Sequence, residues 1–454
     1  MDTDIPRLTR DHPDFDRQVA DLVFNALPLD RAPDAVVRPR TEDEVVAVVR
    51  EARAAGQKVS VVSGGHNWIA APVHEGGVLI DMGAFDRTEI DAASRTALVG
   101  TAVQTGVLAE TLAAAGFAFP TGHCGLPGIG GFLLGGGFGL NVGNWKPACF
   151  SVRGVRVVTA AGELVVASES ELPELLWMAR GAGPAFPGVV TSLELELKDR
   201  PADTRISSWV FALDDLAAVT DWVNEASPAL PSNVEVAVVA LGADRPDHPP
   251  SDGFPDHVVT VEAIVFADDP AEARAAVASL AAGPGIEALA HADLEPVAYE
   301  EVHKGFDAMC HEDDRYLADT FWTDLDLDSL ASLQEAIRSA PSGKSVVIAE
   351  MLANGGKFGF AAEDAAYSID GRTLVMAYAI WDDPAADEAN RSWHGEVREA
   401  VEPISLGHFV NEADLHAAPG RLARCFTPAN WKRLVALREK WDPDRLFHDP
   451  PGLP

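Results

Sequence analysis

Positive charge is scarce in this chain. Across 454 positions 35 lysine and arginine residues face 70 aspartate and glutamate residues, a formal charge of −35. A field of that sign repels phosphate backbones and anionic headgroups, which argues against nucleic acid or an acidic membrane surface as partner. No run of 18 apolar residues occurs, so no membrane span is expected. The first twenty residues hold neither a basic leader nor an apolar core, and a cytoplasmic location is expected. Four cysteines, Cys124, Cys149, Cys310 and Cys425, lie far apart in sequence and form no C-x-x-C pair. That argues against a disulfide framework or a zinc site, and no metal is expected.

Hydrophobic residues, by contrast, make up 47% of the chain, and its length suffices for two domains with substantial cores. Glycine is unevenly spread: ten of the 38 fall in the 22 positions from Gly122 to Gly143. Each raises the entropic cost of ordering the backbone, so this density argues against a regular helix or strand. Its physical use is close approach, bringing bare backbone N–H groups to an anion or a flat ring that any Cβ would push away. Inside the run Cys124, between His123 and Gly125, can do chemistry. His66, which follows Gly64 and Gly65, lies 58 positions upstream. Taken singly, a filler cysteine and a turn histidine are the plain alternatives.

Together, the segments SGGHNW and TGHCGLPGIGG resemble the two flavin-attachment segments of the berberine-bridge-enzyme-like oxidases, within the vanillyl-alcohol-oxidase (PCMH-type) FAD-binding superfamily. LLWMARGAGPAFPGVVTSLELEL (175–197), HFVNEAD (408–414) and NWKRLVALREKWDPDRLF (430–447) are similar to further stretches of that family. The resemblance implies an α+β fold of two domains, a flavin domain under an antiparallel sheet covered by helices. It also implies FAD attached covalently, through His66 to the 8α-methyl and through Cys124 to C6. The implied cofactor-binding set is Gly64, Gly65, Asn67, Gly128, Gly130, Gly131, Gly135, Gly136, Gly137, Val190 and Asn411. The chain departs from the family pattern at Val62, where an arginine is frequent, at Phe409, where a tyrosine is usual, and at Cys149-Phe150, where an aspartate is usual. The glutamate base of alkaloid-oxidising members falls near Ala379.

Along the chain, Thr41-Glu42-Asp43-Glu44 reads as a capping box before a helix that stops at Gly56. KVSVV (58–62) then reads as the strand that delivers His66, and GVLIDM (77–82) as a second. Hairpins are expected over 89–100 and 151–168, with helices over 107–115 and 171–179. The glycines do not follow a strand and open a helix within one βαβ unit, which excludes a Rossmann site. Lys198-Asp199-Arg200-Pro201 marks a boundary, giving a flavin domain over 1–200, a substrate domain over 201–405 and a returning segment over 406–454. Within the second domain strands alternate with amphipathic helices, and DRPDHPPSDGFP (244–255) reads as a surface loop.

Drawing hydride from a C–H that bears a hydroxyl or amine is helped by removing the heteroatom's proton, so an acid or base is expected under the roof. In SVVIAEML, Glu350 shares a strand face with Val346, Ile348 and Leu352; a carboxylate there is either ion-paired or functional. In RTLVMAYAIW, Tyr378 alternates with Leu374, Met376 and Ile380, and its hydroxyl either bonds a core carbonyl or serves chemistry. Trp68, Trp145, Trp322, Trp381 and Trp393 are candidate pocket walls or core residues. The reading is an FAD-linked oxidase taking two electrons from a small alcohol, amine or phenolic substrate and passing them to dioxygen, as a monomer or homodimer. A dehydrogenase of 2-hydroxy acids with another acceptor and a non-redox flavin binder are the alternatives.

Overall fold

A computed structural model of the protein describes residues 5–242, 254–352 and 358–454. Most of the expected loop over 244–255 lies outside the described residues. The first sheet holds, in order, strands Arg7–Thr9, Ala35–Val37, Val78–Asp81 and Val59–Val62, the last three mutually parallel. Ala35–Val37 and Val59–Val62 run parallel on either side of Val78–Asp81, so the chain between them must cross over, and helix Glu42–Ala55 does so. Its Val45, Val48, Val49 and Ala52 are buried at helical spacing, and Gly56 closes it in the left-handed region. Thr41 Oγ1 accepts the Glu44 N–H at 3.2 Å, as a capping box requires. The return half is displaced by one residue, Glu44 Oε2 accepting from the Arg40 N–H.

A five-stranded antiparallel sheet follows, ordered Thr88–Asp91, Thr96–Gly100, Gly188–Glu196, Val152–Thr159 and Leu164–Ser168. Both expected hairpins are in it, the second turning at Gly162 with φ +73°. The expected helices are Thr105–Ala114 and Pro173–Ala179. One expectation fails: helix Ile129–Leu134 forms inside the glycine run. Ile129 and Leu133 are fully buried and anchor it. A Cβ on Gly130 would stand 2.6 Å from Thr101 Cβ, so here glycine permits a tight helix contact.

The roof is an antiparallel sheet of seven strands among the described residues. From edge to edge these are Ala290–Val297, Asp203–Ala212, His257–Ala267, Val234–Gly242, Val346–Met351, Thr373–Trp381 and Arg315–Thr323. Alternation along each strand divides its two faces. Val347, Ala349, Met351, Val375, Ala377 and Ala379 join the outer core, packed with helices Leu216–Ala226 and Asp387–Val401. Val346, Ile348, Leu374, Met376 and Ile380 face inward. Ala379 therefore points away from the interior, where a base has no use.

The last segment closes the floor. Leu434, on helix Pro428–Trp441, is buried in the same core as Trp177 and Leu193. Phe447 bridges Val59 in parallel, and the His448 N–H donates to the Val59 carbonyl at 3.0 Å. No helix among the described residues is long and apolar enough to cross a membrane.

Candidate active site

Strand Val59–Val62 ends at the cavity floor and passes the chain to Ser63-Gly64-Gly65-His66. Gly65 sits at φ +65°, where a Cβ would lie 2.1 Å from the Leu22 carbonyl oxygen. A Cβ on Gly64 would lie 2.4 Å from the Gly128 nitrogen. The two glycine segments are thus locked face to face, and this brings their reactive side chains together. The donor atoms of His66, Cys124 and Cys310 all lie within 4.8 Å of one another. The His66 ring stacks on Phe24, centroids 4.0 Å apart, and its Nε2 is buried without a hydrogen-bond partner. Asn67 caps the turn that follows, its Oδ1 accepting from the Ile69 and Ala71 N–H groups.

Above the loops lies a cavity of about 400 Å³ between floor and roof. Gly64, Gly65, Gly128, Gly130, Gly131, Val190 and Asn411 line it. Gly131 has open space where a Cβ would stand. Gly135, Gly136 and Gly137 do not line it. Their closeness is to protein: a Cβ would meet Asn411 at 1.8 Å, Tyr367 at 2.4 Å and Ala148 at 2.9 Å respectively. Nor are all the N–H groups of the run available to an anion, since Ile129 and Gly130 donate to the carbonyls of Val103 and Thr101. Asn411 Nδ2 donates to the carbonyls of Gly131 and Phe132 at 3.3 and 3.2 Å, tying the returning segment to the glycine helix.

The roof presents carboxylates. Ala237 pairs with Glu350 on one side and with Glu262 on the other, so the two acids flank a small residue on one face of three adjacent strands. Glu235, two residues along, accepts from the Val142 N–H at 3.0 Å and pairs with His123 Nε2 at 3.1 Å. Burial opposes charge on His123, yet Glu235, helped by Glu350 and Glu262, raises its pKa to about 9. Glu350 is 5% exposed with Oε1 unpartnered, and burial pushes it up to about 8. Burial raises Glu262 as well. On the next strand the Tyr378 hydroxyl donates to Glu412 Oε2 at 2.8 Å, and burial raises both groups.

Cys124 is contacted by Cys310, Sγ to Sγ 4.0 Å, and that contact together with burial holds its thiol well above the usual range. Of the five indoles considered, Trp68 lines the cavity. Trp322 and Trp381 are fully buried, Trp393 belongs to the roof's outer core, and Trp145 packs on Tyr299. Phe138, Phe306 and Phe409 are among the other aromatic residues lining the cavity.

A family model described as an FAD binding domain matches residues 33–168, and one described as berberine and berberine like matches residues 408–454. The chain carries an FAD binding domain and a berberine-like segment, and its relatives are FAD-linked oxidoreductases. Those two matched stretches carry His66 with Cys124 and Asn411 with Glu412, the floor of the cavity just described. The oxidoreductase is 28% identical over 451 residues to the FAD-linked oxidoreductase ptmO of Penicillium ochrochloron, spanning 98% of this chain and 95% of that one. With (R)-6-hydroxynicotine oxidase of Paenarthrobacter nicotinovorans it shares 33% identity over 212 residues, 45% of this chain and 46% of the relative. In fold it is similar to BBE-like 1 of Physcomitrella patens, with a TM-score of 0.85 at 18% identity over 99% of this chain and 97% of the other. It has the two-domain α+β PCMH-type FAD-binding fold.

Sequence reasoning missed Glu235, Glu262, His123 as a partner, Cys310 and Glu412. A signal existed for the first two. Both stand on apolar strand faces, in VEVAVVALG and HVVTVEAIVFA, by the same criterion that singled out Glu350. Cys310 and Glu412 come from a loop after a short helix and from a single 3-10 turn, with no such periodicity, and only the tertiary fold places them.

Proposed function

We propose that this oxidoreductase holds FAD covalently through His66 and Cys124 and oxidises a small basic substrate beneath the roof, with dioxygen as acceptor. The observation that carries the reading is the convergence of His66 and Cys124, donor atoms within 4.8 Å, on a glycine-walled floor opposite roof carboxylates. The residues fit the cofactor: His66 Nε2 is a buried polar atom lacking a partner, and a Cβ on Gly131 would enter the cavity rather than protein. When bound, FAD supplies the two-electron acceptor.

The chain's own groups handle the protons. Glu350, with one unpartnered oxygen, accepts a proton from the substrate heteroatom at Oε1. Tyr378 donates its hydroxyl hydrogen bond to Glu412 Oε2, which turns a lone pair of its phenolic oxygen toward the substrate as a hydrogen-bond acceptor. His123 stays charged near neutrality, paired directly with Glu235 and close to Glu350, so one cation faces the three acids Glu235, Glu262 and Glu350. That imbalance favours a substrate that arrives as an ammonium over a neutral alcohol. Trp68, Phe138 and Phe306 exclude water from the remaining walls.

Acid denaturation tests attachment. Flavin colour stays with the precipitated chain, and peptide mapping locates flavin mass on the peptides containing His66 and Cys124. His66→Ala and Cys124→Ala each retain one bond, and the double variant releases its FAD. Flavin mass on His66 alone reduces the proposal to single attachment, and mass on neither removes it. An amine and alcohol panel scored by flavin bleaching under argon, followed by admission of air, tests substrate class and acceptor together.

A further inference from the structure

The mechanism above gives Cys310 no task, yet its sulfur lies 4.0 Å from that of Cys124. The two are 186 positions apart in sequence, and the contact is built rather than incidental. The segment carrying Cys310 is clamped to the Cys124 loop one residue further on: the Gly125 N–H donates to Asp307 Oδ1 at 2.7 Å, and Asp307 Oδ2 holds His303 Nδ1 at 2.7 Å. The His303 ring fills the space where Gly125 and Gly106 lack side chains, at 2.4 and 2.9 Å from their ideal Cβ positions. Both thiols are half-buried and both border the cavity, whereas Cys149 and Cys425 are buried away from it.

We propose that Cys124 and Cys310 are a modification site, a thiol pair that closes to a disulfide in the flavin-free protein and thereby withholds Cys124 from the cofactor. A disulfide needs the sulfurs about 2 Å closer, near 2.05 Å, a shift that side-chain rotation and the short segment after helix Lys304–Asp307 supply. The oxidant is a low-molecular-weight disulfide, RSSR. The Cys310 thiolate attacks one of its sulfurs, forming a mixed disulfide and releasing RS⁻, which takes up a proton as RSH. Cys124 then loses its proton to the neighbouring His66 ring and attacks the Cys310 sulfur, expelling RS⁻, which takes that proton from His66 and leaves as a second RSH. Two thiols and RSSR thus give one protein disulfide and two RSH. Attachment at His66 needs no thiol and is untouched.

Only the consequence for the cofactor rests on the proposed flavin attachment; the cross-link itself does not. The test uses the full chain expressed under flavin starvation, incubated with oxidised or reduced glutathione and digested without reduction. Oxidised samples contain one linked pair of peptides, bearing Cys124 and Cys310. When FAD is then added, they show flavin mass on the His66 peptide with loss of it from the Cys124 peptide, while reduced samples show it on both. Cys310→Ser, with Cys310→Ala as a second variant, abolishes the cross-link and makes attachment at Cys124 indifferent to oxidised glutathione. Absence of the linked pair at every glutathione ratio, or glutathione left on Cys310 without exchange, overturns the proposal. Flavin missing from Cys124 in reduced samples that do form the cross-link overturns bicovalent attachment instead and leaves the thiol pair standing.

Discussion

Glu350 and Tyr378 occupy neighbouring strands, but their protons are handled differently. Glu350 Oε1 has no partner, so its ionisation is governed by burial, with a pKa of about 8. Flavin reduction by an amine therefore rises with pH through about 8, because the carboxylate form is the one that accepts the proton. Glu350→Gln lowers that rate by ~10²-fold or more and flattens the pH profile, with flavin content unchanged as control. A wild-type rate and profile in stopped-flow measurements would remove Glu350 from the mechanism. Tyr378 is coupled to Glu412, so Tyr378→Phe and Glu412→Gln should slow reduction by similar factors, and the double variant by no more than either alone. Strictly additive losses would show that the two act separately. Both orientations were legible because strand alternation is local: four residues of RTLVMAYAIW suffice to say which way Tyr378 points. Its partner was not legible, since Glu412 lies on a turn after the roof ends.

At the level of elements, the glycine run divides into parts with different tasks. Gly131 borders open cavity, whereas Gly136, at φ +116°, has Tyr367 at 2.4 Å from its ideal Cβ. Gly131→Ala should leave the melting temperature of the apoprotein close to wild type while reducing flavin loading. Gly136→Ala should destabilise the apoprotein itself, by more than about 1 kcal/mol, because strain and overpacking coincide. Calorimetry of both flavin-free variants separates the cases; equal melting temperatures would refute the division. Composition marked the run as a place of close approach but not what approaches. Gly130 meets Thr101 and Gly135 meets Asn411, contacts made across 29 and 276 positions that no local pattern encodes. The same holds for the roof, where the acids beside Ala237 become neighbours only through strand register.

For the molecule as a whole, buried ionisation sets how stability follows pH. Glu350 in the folded protein titrates near 8 and His123 near 9, each raised above its ordinary value. The folded state then binds more protons than the unfolded one between the two sets of values, so stability is fullest below them and falls as pH rises through them. The apoprotein melting temperature should decline between about pH 5 and 9, and Glu350→Gln should shallow that decline. A flat profile would mean that these acids are relaxed by water or ions. The overall charge of −35 acts in addition, and raising salt from about 0.05 to 0.5 M should lift the melting temperature by screening self-repulsion.

The bridge between Phe447 and Val59 has a further consequence for the order of events during synthesis. A ribosome delivers Val59, His66 and Cys124 early and Phe447 more than 300 residues later. At the ~5–20 residues per second of translation, that is an interval of tens of seconds in which His66 and Cys124 lie on a floor lacking its final strand contact. The roof must also be threaded through before Asn411 can reach Gly131. Cofactor capture is therefore expected to follow synthesis of Phe447, and a chain truncated before residue 447 should bind FAD less well than the full chain.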